Sequence, residues 1–151
     1  MTIIELMQLE RSVQLEWGKK IAKSDWDAGG YLARLVMEDE VEKAFGSPSR
    51  ILMLTDGDSL VCYCTLVPFD EIPDDTKKPW IGFVYTFPEY RGHRYAGVLI
   101  EEAKRITKNE GYGKVFVSSD EIGLYEKYGF HSIGRAQSIH EYETGIFECS
   151  I

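Results

Sequence analysis

From Trp80 to Ser118 the chain passes through an apolar segment, a tight turn, a helical stretch and a second apolar segment. That succession admits few folds. Trp80–Thr86 (WIGFVYT) is apolar on both alternating faces, as expected of a central strand covered on each side. Pro88-Glu89-Tyr90-Arg91-Gly92 turns the chain, and Tyr95, Val98, Leu99, Ala103 and Ile106 then recur at helical spacing up to Asn109, where Gly111 supplies a stop. Lys114–Ser118 reads as the next strand. Two strands joined by a helix pair in parallel through a right-handed crossover, so this segment predicts a βαβ unit and a mixed α/β fold.

The flanking sequence adds strands and helices without repeats or linkers. Leu6, Leu9, Val13, Trp17 and Ile21 share one helical face over residues 6–23, and Leu32, Leu35, Val36, Val41 and Phe45 do so over 31–45. Residues 24–30 between them read as a loop. Asp56-Gly57-Asp58-Ser59 separates apolar runs at 51–55 and 60–67, which predicts an antiparallel hairpin. Residues 68–79 are acidic, contain Pro73 and lack periodicity, so they read as a loop. A short helix over 121–128, ended by Gly129, and strands near 130–134 and 142–150 complete the chain. The last strand, through Gly145, Phe147, Cys149 and Ile151, is suited either to the chain's own sheet or to pairing across an edge in a homodimer.

A chain of 151 residues is the size of one domain, so residues 1–151 are expected to fold around one core. No apolar run approaches the roughly 20 residues of a membrane span, and the N-terminus lacks the basic start and apolar core of a secretory signal. A cytoplasmic location is expected. Cys62, Cys64 and Cys149 are odd in number and have no further ligands at metal-binding spacing near them, so they are expected to be buried thiols with neither disulfide nor metal. A net charge of −8 opposes nucleic acid as a partner and favours cationic ones.

The strand-to-helix turn carries the chemistry. Its first helical turn leaves backbone N–H groups unpaired at the positive end of the macrodipole, and Gly92, Ala96 and Gly97 let a ligand approach the main chain. Arg91, His93 and Arg94 add cationic donors in an otherwise acidic chain, as an anion site requires. Neither Gly-x-Gly-x-x-Gly nor a Gly-Lys-Ser/Thr ending is present, which removes the Rossmann and P-loop readings.

The stretch from Trp80 through Pro88-Glu89-Tyr90-Arg91-Gly92-His93-Arg94 resembles the acetyl-CoA motif of the GNAT acetyltransferase superfamily, Gln/Arg-x-x-Gly-x-Gly/Ala. Arg91 and Ala96 match its ends, and Arg94 stands where the middle glycine is usual. Gly123-Leu124-Tyr125-Glu126-Lys127-Tyr128-Gly129-Phe130 is similar to the second hallmark, Leu-Tyr-x-x-x-Gly-Phe, whereas Ser118-Ser119-Asp120 replaces the usual Asn before it. The resemblance implies a mixed central sheet of about six to seven strands, about four helices and a splayed parallel pair.

It further implies that Val84, Tyr85 and Thr86 flank the pantetheine arm of acetyl-CoA and that Arg91, Gly92, His93, Arg94, Tyr95, Ala96 and Gly97 hold its pyrophosphate. The implied activity is acetyl transfer to a primary amine, on a small molecule or a peptide, by direct attack on the thioester. An alkylammonium with a pKa of about 10.4 must first lose a proton, and the leaving thiolate gains from an acid near its sulfur. Tyr125, at the matching position of the second motif, is the candidate acid. Glu71 is the candidate base, with Asp70, Asp74, Asp75, Asp120, Glu121 and His93 as other acceptors. Acceptor choice falls to the N-terminal region with Trp17, Asp25, Trp26, Asp27 and Tyr31. The alternative is the same fold acting as an acetyl-CoA-binding sensor without catalysis.

Overall fold

The computed structural model describes residues 1–151. One seven-stranded sheet organises the chain, in the order β1-β2-β3-β4-β5-β7-β6. The strands are β1 Thr2–Glu5, β2 Arg50–Asp56, β3 Ser59–Val67, β4 Trp80–Thr86, β5 Lys114–Ser118, β6 His131–Gln137 and β7 Glu143–Ser150. Helices α1 Arg11–Ile21, α2 Asp27–Met37, α3 Val41–Phe45 and α4 Tyr95–Asn109 cover it.

Alternation along the central strands decides which helices cover which face. Ile51 and Met53 of β2, Tyr63 and Val67 of β3 and Trp80 of β4 pack with Trp17, Ile21, Leu32 and Val36 of α1 and α2. Their neighbours Leu52, Leu54, Cys62, Cys64, Leu66 and Ile81 pack on the other face with Leu99, Ile100 and Ala103 of α4. Both faces are therefore dry, which is why β2, β3 and β4 carry continuous apolar runs. Cys62, Cys64 and Cys149 are buried free thiols. No helix is long and apolar enough to cross a membrane.

Several local expectations differ from the structure. Residues 2–5 form an edge strand paired with β2, and residues 6–8 a 3₁₀ turn in which Glu5 accepts from the Met7 N–H at 2.6 Å. The helix expected from Leu6 thus starts at Arg11, because pairing with a strand some fifty residues away in sequence outweighs local periodicity. The helix expected over 31–45 is two helices. Three acidic residues, Glu38-Asp39-Glu40, gather at the negative end of α2, and Asp39 takes a left-handed φ of 56° that ends it. Its start lies earlier, at Asp27, and takes in the glycines expected in a loop: a Cβ on Gly29 would lie 2.5 Å from the Tyr63 hydroxyl. The helix expected over 121–128 is only a 3₁₀ turn, Tyr125–Tyr128, with Gly123 at a φ of 83° breaking the stretch before it. Strand β7 lies inside the sheet between β5 and β6, so it completes the chain's own sheet.

The feature that positions the site is an irregularity in β4. Tyr63 faces Tyr85 and Thr65 faces Gly82, so between these pairs β4 holds one more residue than β3. The extra residue makes a bulge, and Phe83 adopts a φ of 50° there. On its other edge β4 pairs in parallel with β5 only at Trp80 and Ile81, opposite Phe116 and Val117. Beyond Ile81 the two strands part.

The turn leading into α4 is also irregular. Gly92 and Arg94 have φ values of 89° and 59°, and α4 starts directly afterwards. A left-handed residue with a side chain costs about 1–2 kcal/mol, and glycine recovers that at some cost in chain entropy. Arg94→Gly is expected to raise stability by up to about 1 kcal/mol in denaturant unfolding. Gly97→Ala should do the reverse. Its Cβ would lie 2.6 Å from the Tyr128 ring, so repacking is expected to cost about 1–3 kcal/mol by the same measurement.

Candidate active site

Two open surfaces meet where β4 and β5 part. The first is the turn before α4. The N–H groups of Gly92, His93, Arg94, Tyr95 and Ala96 have no backbone partner, the first bond of the turn being Gly97 N–H to the Arg94 carbonyl at 3.1 Å. A row of free donors at the positive end of a helix of 15 residues suits a polyanion. His93 and Arg94 are exposed, and the His93 ring lies 5.4 Å from that of Tyr95. Arg91 turns away from the free N–H groups. Its Nε donates to the Thr86 carbonyl at 2.9 Å, and its guanidinium lies 5.4 Å from the Tyr85 ring and 3.9 Å from Asp25. It therefore fastens the turn to the end of β4.

The second surface is a cavity of about 1010 Å³ beside the parted strands. Gly82, Phe83 and Val84 of β4, Val117 and Ser118 of β5, Trp26, Asp27 and Tyr31 at the start of α2, and Tyr125 line it. Trp26 stacks on Tyr85 at 5.7 Å and 8°, while Phe83 lies between Tyr31, at 6.5 Å, and Phe45, at 5.6 Å. Tyr85 itself faces the helix side, where its hydroxyl donates to Asp25; that bond first, and then Arg91, hold the Asp25 carboxyl below its usual range. Thr86 bonds to the Cys62 sulfur at 3.3 Å. What Val84, Tyr85 and Thr86 offer a ligand is therefore the main chain of an open strand edge.

Tyr125 is only 6% exposed, its ring set edge-on to Phe130 at 5.9 Å and tilted to Phe147 at 6.3 Å. Burial, then the nearby Cys64, Glu121 and Asp70, raise its phenol well above the ordinary value, so it is protonated at neutral pH. Carboxylates dominate the remaining polar lining: Asp27, Asp70, Glu71, Asp120 and Glu121, with no lysine or arginine. Burial and the adjacent Glu71 push Asp70 up to about 7.

The expected site residues separate clearly in space. Tyr125, Asp70, Glu71, Asp120 and Glu121 share the cavity, and Trp26, Asp27 and Tyr31 form one wall. Trp17 is buried in the core under Lys20, and Asp74 is tied to Thr76 and Lys77; neither lines the cavity. His140 and Tyr142, from the turn between β6 and β7, and Ser118 also line it. Nothing in the local sequence marks the turn residues, because only sheet pairing brings residues 138–142 beside residue 71. Gly82 could have been singled out, as a glycine in the middle of a strand signals a close approach.

Comparison with known proteins agrees with this architecture. Among solved structures, an aminoglycoside 6'-N-acetyltransferase complexed with coenzyme A superposes with a TM-score of 0.72 at 12% identity, over 99% of this chain and 97% of that one. The aminoglycoside 6'-N-acetyltransferase from Enterococcus faecium gives 0.70 at 12% identity, with the same shares covered. A GNAT family acetyltransferase from Elizabethkingia anophelis with acetyl-CoA bound gives 0.59 at 13% identity, over 74% and 82% of the two chains. No protein of curated function has a significant sequence match. The sequence profile of the acetyltransferase (GNAT) family matches residues 10–130. With that match spanning most of the chain, and with the parted β4–β5 pair and the open turn before α4 both present, this protein belongs to the GNAT acetyltransferase family.

Proposed function

We propose that the protein transfers the acetyl group of acetyl-CoA to a primary amine on a small cationic acceptor. The observation that carries this reading is that one strand, β4, joins two open features. Past Ile81 it leaves β5 and lines a cavity holding Tyr125 and two loop carboxylates, and its end runs into the turn whose N–H groups at 92–96 are free. The donors suit the cosubstrate: main-chain N–H groups and exposed His93 and Arg94 for the pyrophosphate, and strand backbone from Gly82 to Thr86 for the amide-rich arm. The acidic, aromatic lining of the cavity suits an ammonium carried on a stackable body, since aromatic faces and carboxylates both attract cations. The aminoglycoside acetyltransferases of similar fold support a small-molecule amine over a peptide.

In this reading a cavity carboxylate takes one proton from the ammonium, and the freed nitrogen attacks the thioester carbonyl. The C–N bond forms as the C–S bond breaks. Main-chain N–H groups at the β4 bulge are suited to hold the developing oxyanion, and Tyr125 gives its proton to the departing sulfur. The nitrogen sheds a second proton as the amide forms, which restores the phenol. The products are an amide, free coenzyme A and one proton left on the base, which then passes to water.

Calorimetry with acetyl-CoA, followed by measurement of free thiol with spermidine, tyramine, kanamycin and a lysine peptide, tests the reading. Binding with amine-dependent thiol release is expected. Binding with no release for any amine would favour the non-catalytic sensor, and absence of binding would end both readings. Tyr125→Phe keeps the ring among Phe130 and Phe147, so it should fold normally and bind acetyl-CoA as before. Its kcat is expected to fall by about 100-fold or more.

A further inference from the structure

Asp70 and Glu71 are adjacent on the loop before β4, yet the structure holds them in different ways. Both oxygens of Glu71 are engaged. Ser118 donates to one and Tyr142 to the other, and the Glu71 carbonyl accepts from the Ile139 N–H at 2.8 Å. Glu71 thus joins the end of β5 to the 138–142 turn, which forms the outer wall of the cavity. The two hydroxyl bonds fix the Glu71 side chain between these elements.

Asp70 is held on one side only. Its Oδ1 accepts from the Glu71 N–H at 2.8 Å. Its Oδ2 lies against β4, where a Cβ on Gly82 would be only 2.2 Å away. The missing side chain of Gly82 is what admits this oxygen to the point where β4 leaves β5. Beside it stands Thr65 Oγ1, 3.2 Å from the same Cβ position and the one fully buried side-chain oxygen or nitrogen without a hydrogen-bond partner. The Asp70 charge is near enough to be felt by Tyr125.

Resting on the transferase reading, we propose that Asp70 takes the proton from the acceptor ammonium, and that Glu71 is a positioning residue holding the 138–142 turn as the acceptor wall. The Asp70 carboxylate gains the proton, the nitrogen keeps its lone pair for attack, and the neutral acid later releases the proton to water. The groups around Asp70 are consistent with this work. Glu71 on its own loop and Tyr125 after β5 face it, together with the neutral Thr65 hydroxyl. The other ionisable groups of the cavity are Asp27, Asp120, Glu121, His140 and the phenols of Tyr31 and Tyr142, with no lysine or arginine to keep Asp70 ionised at low pH. Its pKa of about 7 narrows the gap to an alkylammonium near 10.4, which makes it a better proton acceptor than an ordinary aspartate at about 3.9.

The sign of the pH dependence follows. Asp70 must be ionised to act, so kcat/KM should rise with pH through about 7. The same upward shift means that the ionised carboxylate weighs against the fold. Asp70→Asn should therefore be more stable than the native chain above pH 7, with the difference vanishing below about pH 4, where both folded and unfolded Asp70 are protonated.

The test uses acetyl-CoA and whichever amine of the panel turns over fastest, with pH profiles for native protein, Asp70→Asn, Gly82→Ala, Glu71→Gln and Tyr142→Phe. Asp70→Asn is expected to lose about 100-fold or more in kcat, along with the acidic limb near pH 7, while binding acetyl-CoA normally. Gly82→Ala keeps the aspartate but pushes its carboxyl aside, so it should show the same kcat loss, with folding checked by thermal melting. Glu71→Gln and Tyr142→Phe should both raise the amine KM several-fold and keep kcat; Tyr142→Phe should leave the limb in place, whereas Glu71→Gln, which removes the neighbouring charge that helps to raise Asp70, should move the limb to lower pH without abolishing it. An Asp70→Asn variant that retains kcat and the limb, or a Glu71→Gln variant that loses them, overturns the proposal. Failure of the transferase reading looks different: the native protein then releases no thiol with any amine, and the assignment of Asp70 falls with it.

Discussion

The structure depends on the broken hydrogen-bond ladder of β4. A central strand normally satisfies its main chain on both edges, and β4 does so against β3, but its parallel pairing with β5 ends at Ile81. The bulge at Phe83 bends the strand at that point. Unpaired peptide groups inside a protein are costly, so an open edge persists only where water or a ligand can reach it. The cavity, the access of Tyr125 and the position of the loop carboxylates all follow from that parting of strands.

Packing on both sides makes the interruption tolerable. Trp80 and Phe116 interlock on the α1–α2 face, and Ile81 and Val117 on the α4 face, so the paired end of β4 and β5 is anchored in two dry layers. Helix α4 then leaves from the open end, with its free N–H groups directed to the same region. Arg94 occupies a left-handed position that a glycine would take without strain. The turn keeps its shape because Arg91 ties it to Thr86 and because the helix that follows is firmly buried through Leu99, Ile100 and Ala103. The guanidinium of Arg91 thus acts as a brace between the turn, Tyr85 and Asp25, linking the start of α4 to the entrance of α2.

Electrostatically the cavity is one-sided. Acidic side chains come from α2, the 68–79 loop and the segment after β5, and they are kept apart by different partners: Asp120 by Arg135 at 3.1 Å, Glu71 by two hydroxyls, and Asp70 by little more than a backbone N–H. Asp70 is thus the least tethered of the three. Desolvation raises Asp70 and Tyr125 alike, which leaves one a stronger base than a surface aspartate and the other a phenol that stays protonated.

Much of the frame was legible in the sequence, because continuous apolar runs and helical spacing are local signals: the strands from 51 to 67, β4, α4 with its stop, and β5 all lie where those signals put them. The turn with small residues at Gly92 to Gly97 and the helix start after it were legible as well, and Tyr125, singled out by the second motif, lies in the cavity. Local signals misplaced the helix boundaries at Leu6, at Asp27 and at Glu38, where strand pairing, close helix approach and the macrodipole overrode periodicity. Tertiary structure alone decided three things: that β4 carries a bulge, that Arg91 braces the turn, and that the 138–142 turn closes on Glu71 while Asp70 fills the space of a missing Gly82 side chain. The physical reason is common to all three. Each depends on groups distant in sequence meeting at hydrogen-bonding range, and a distance of that kind is set by the assembled sheet, which no local pattern of residues encodes.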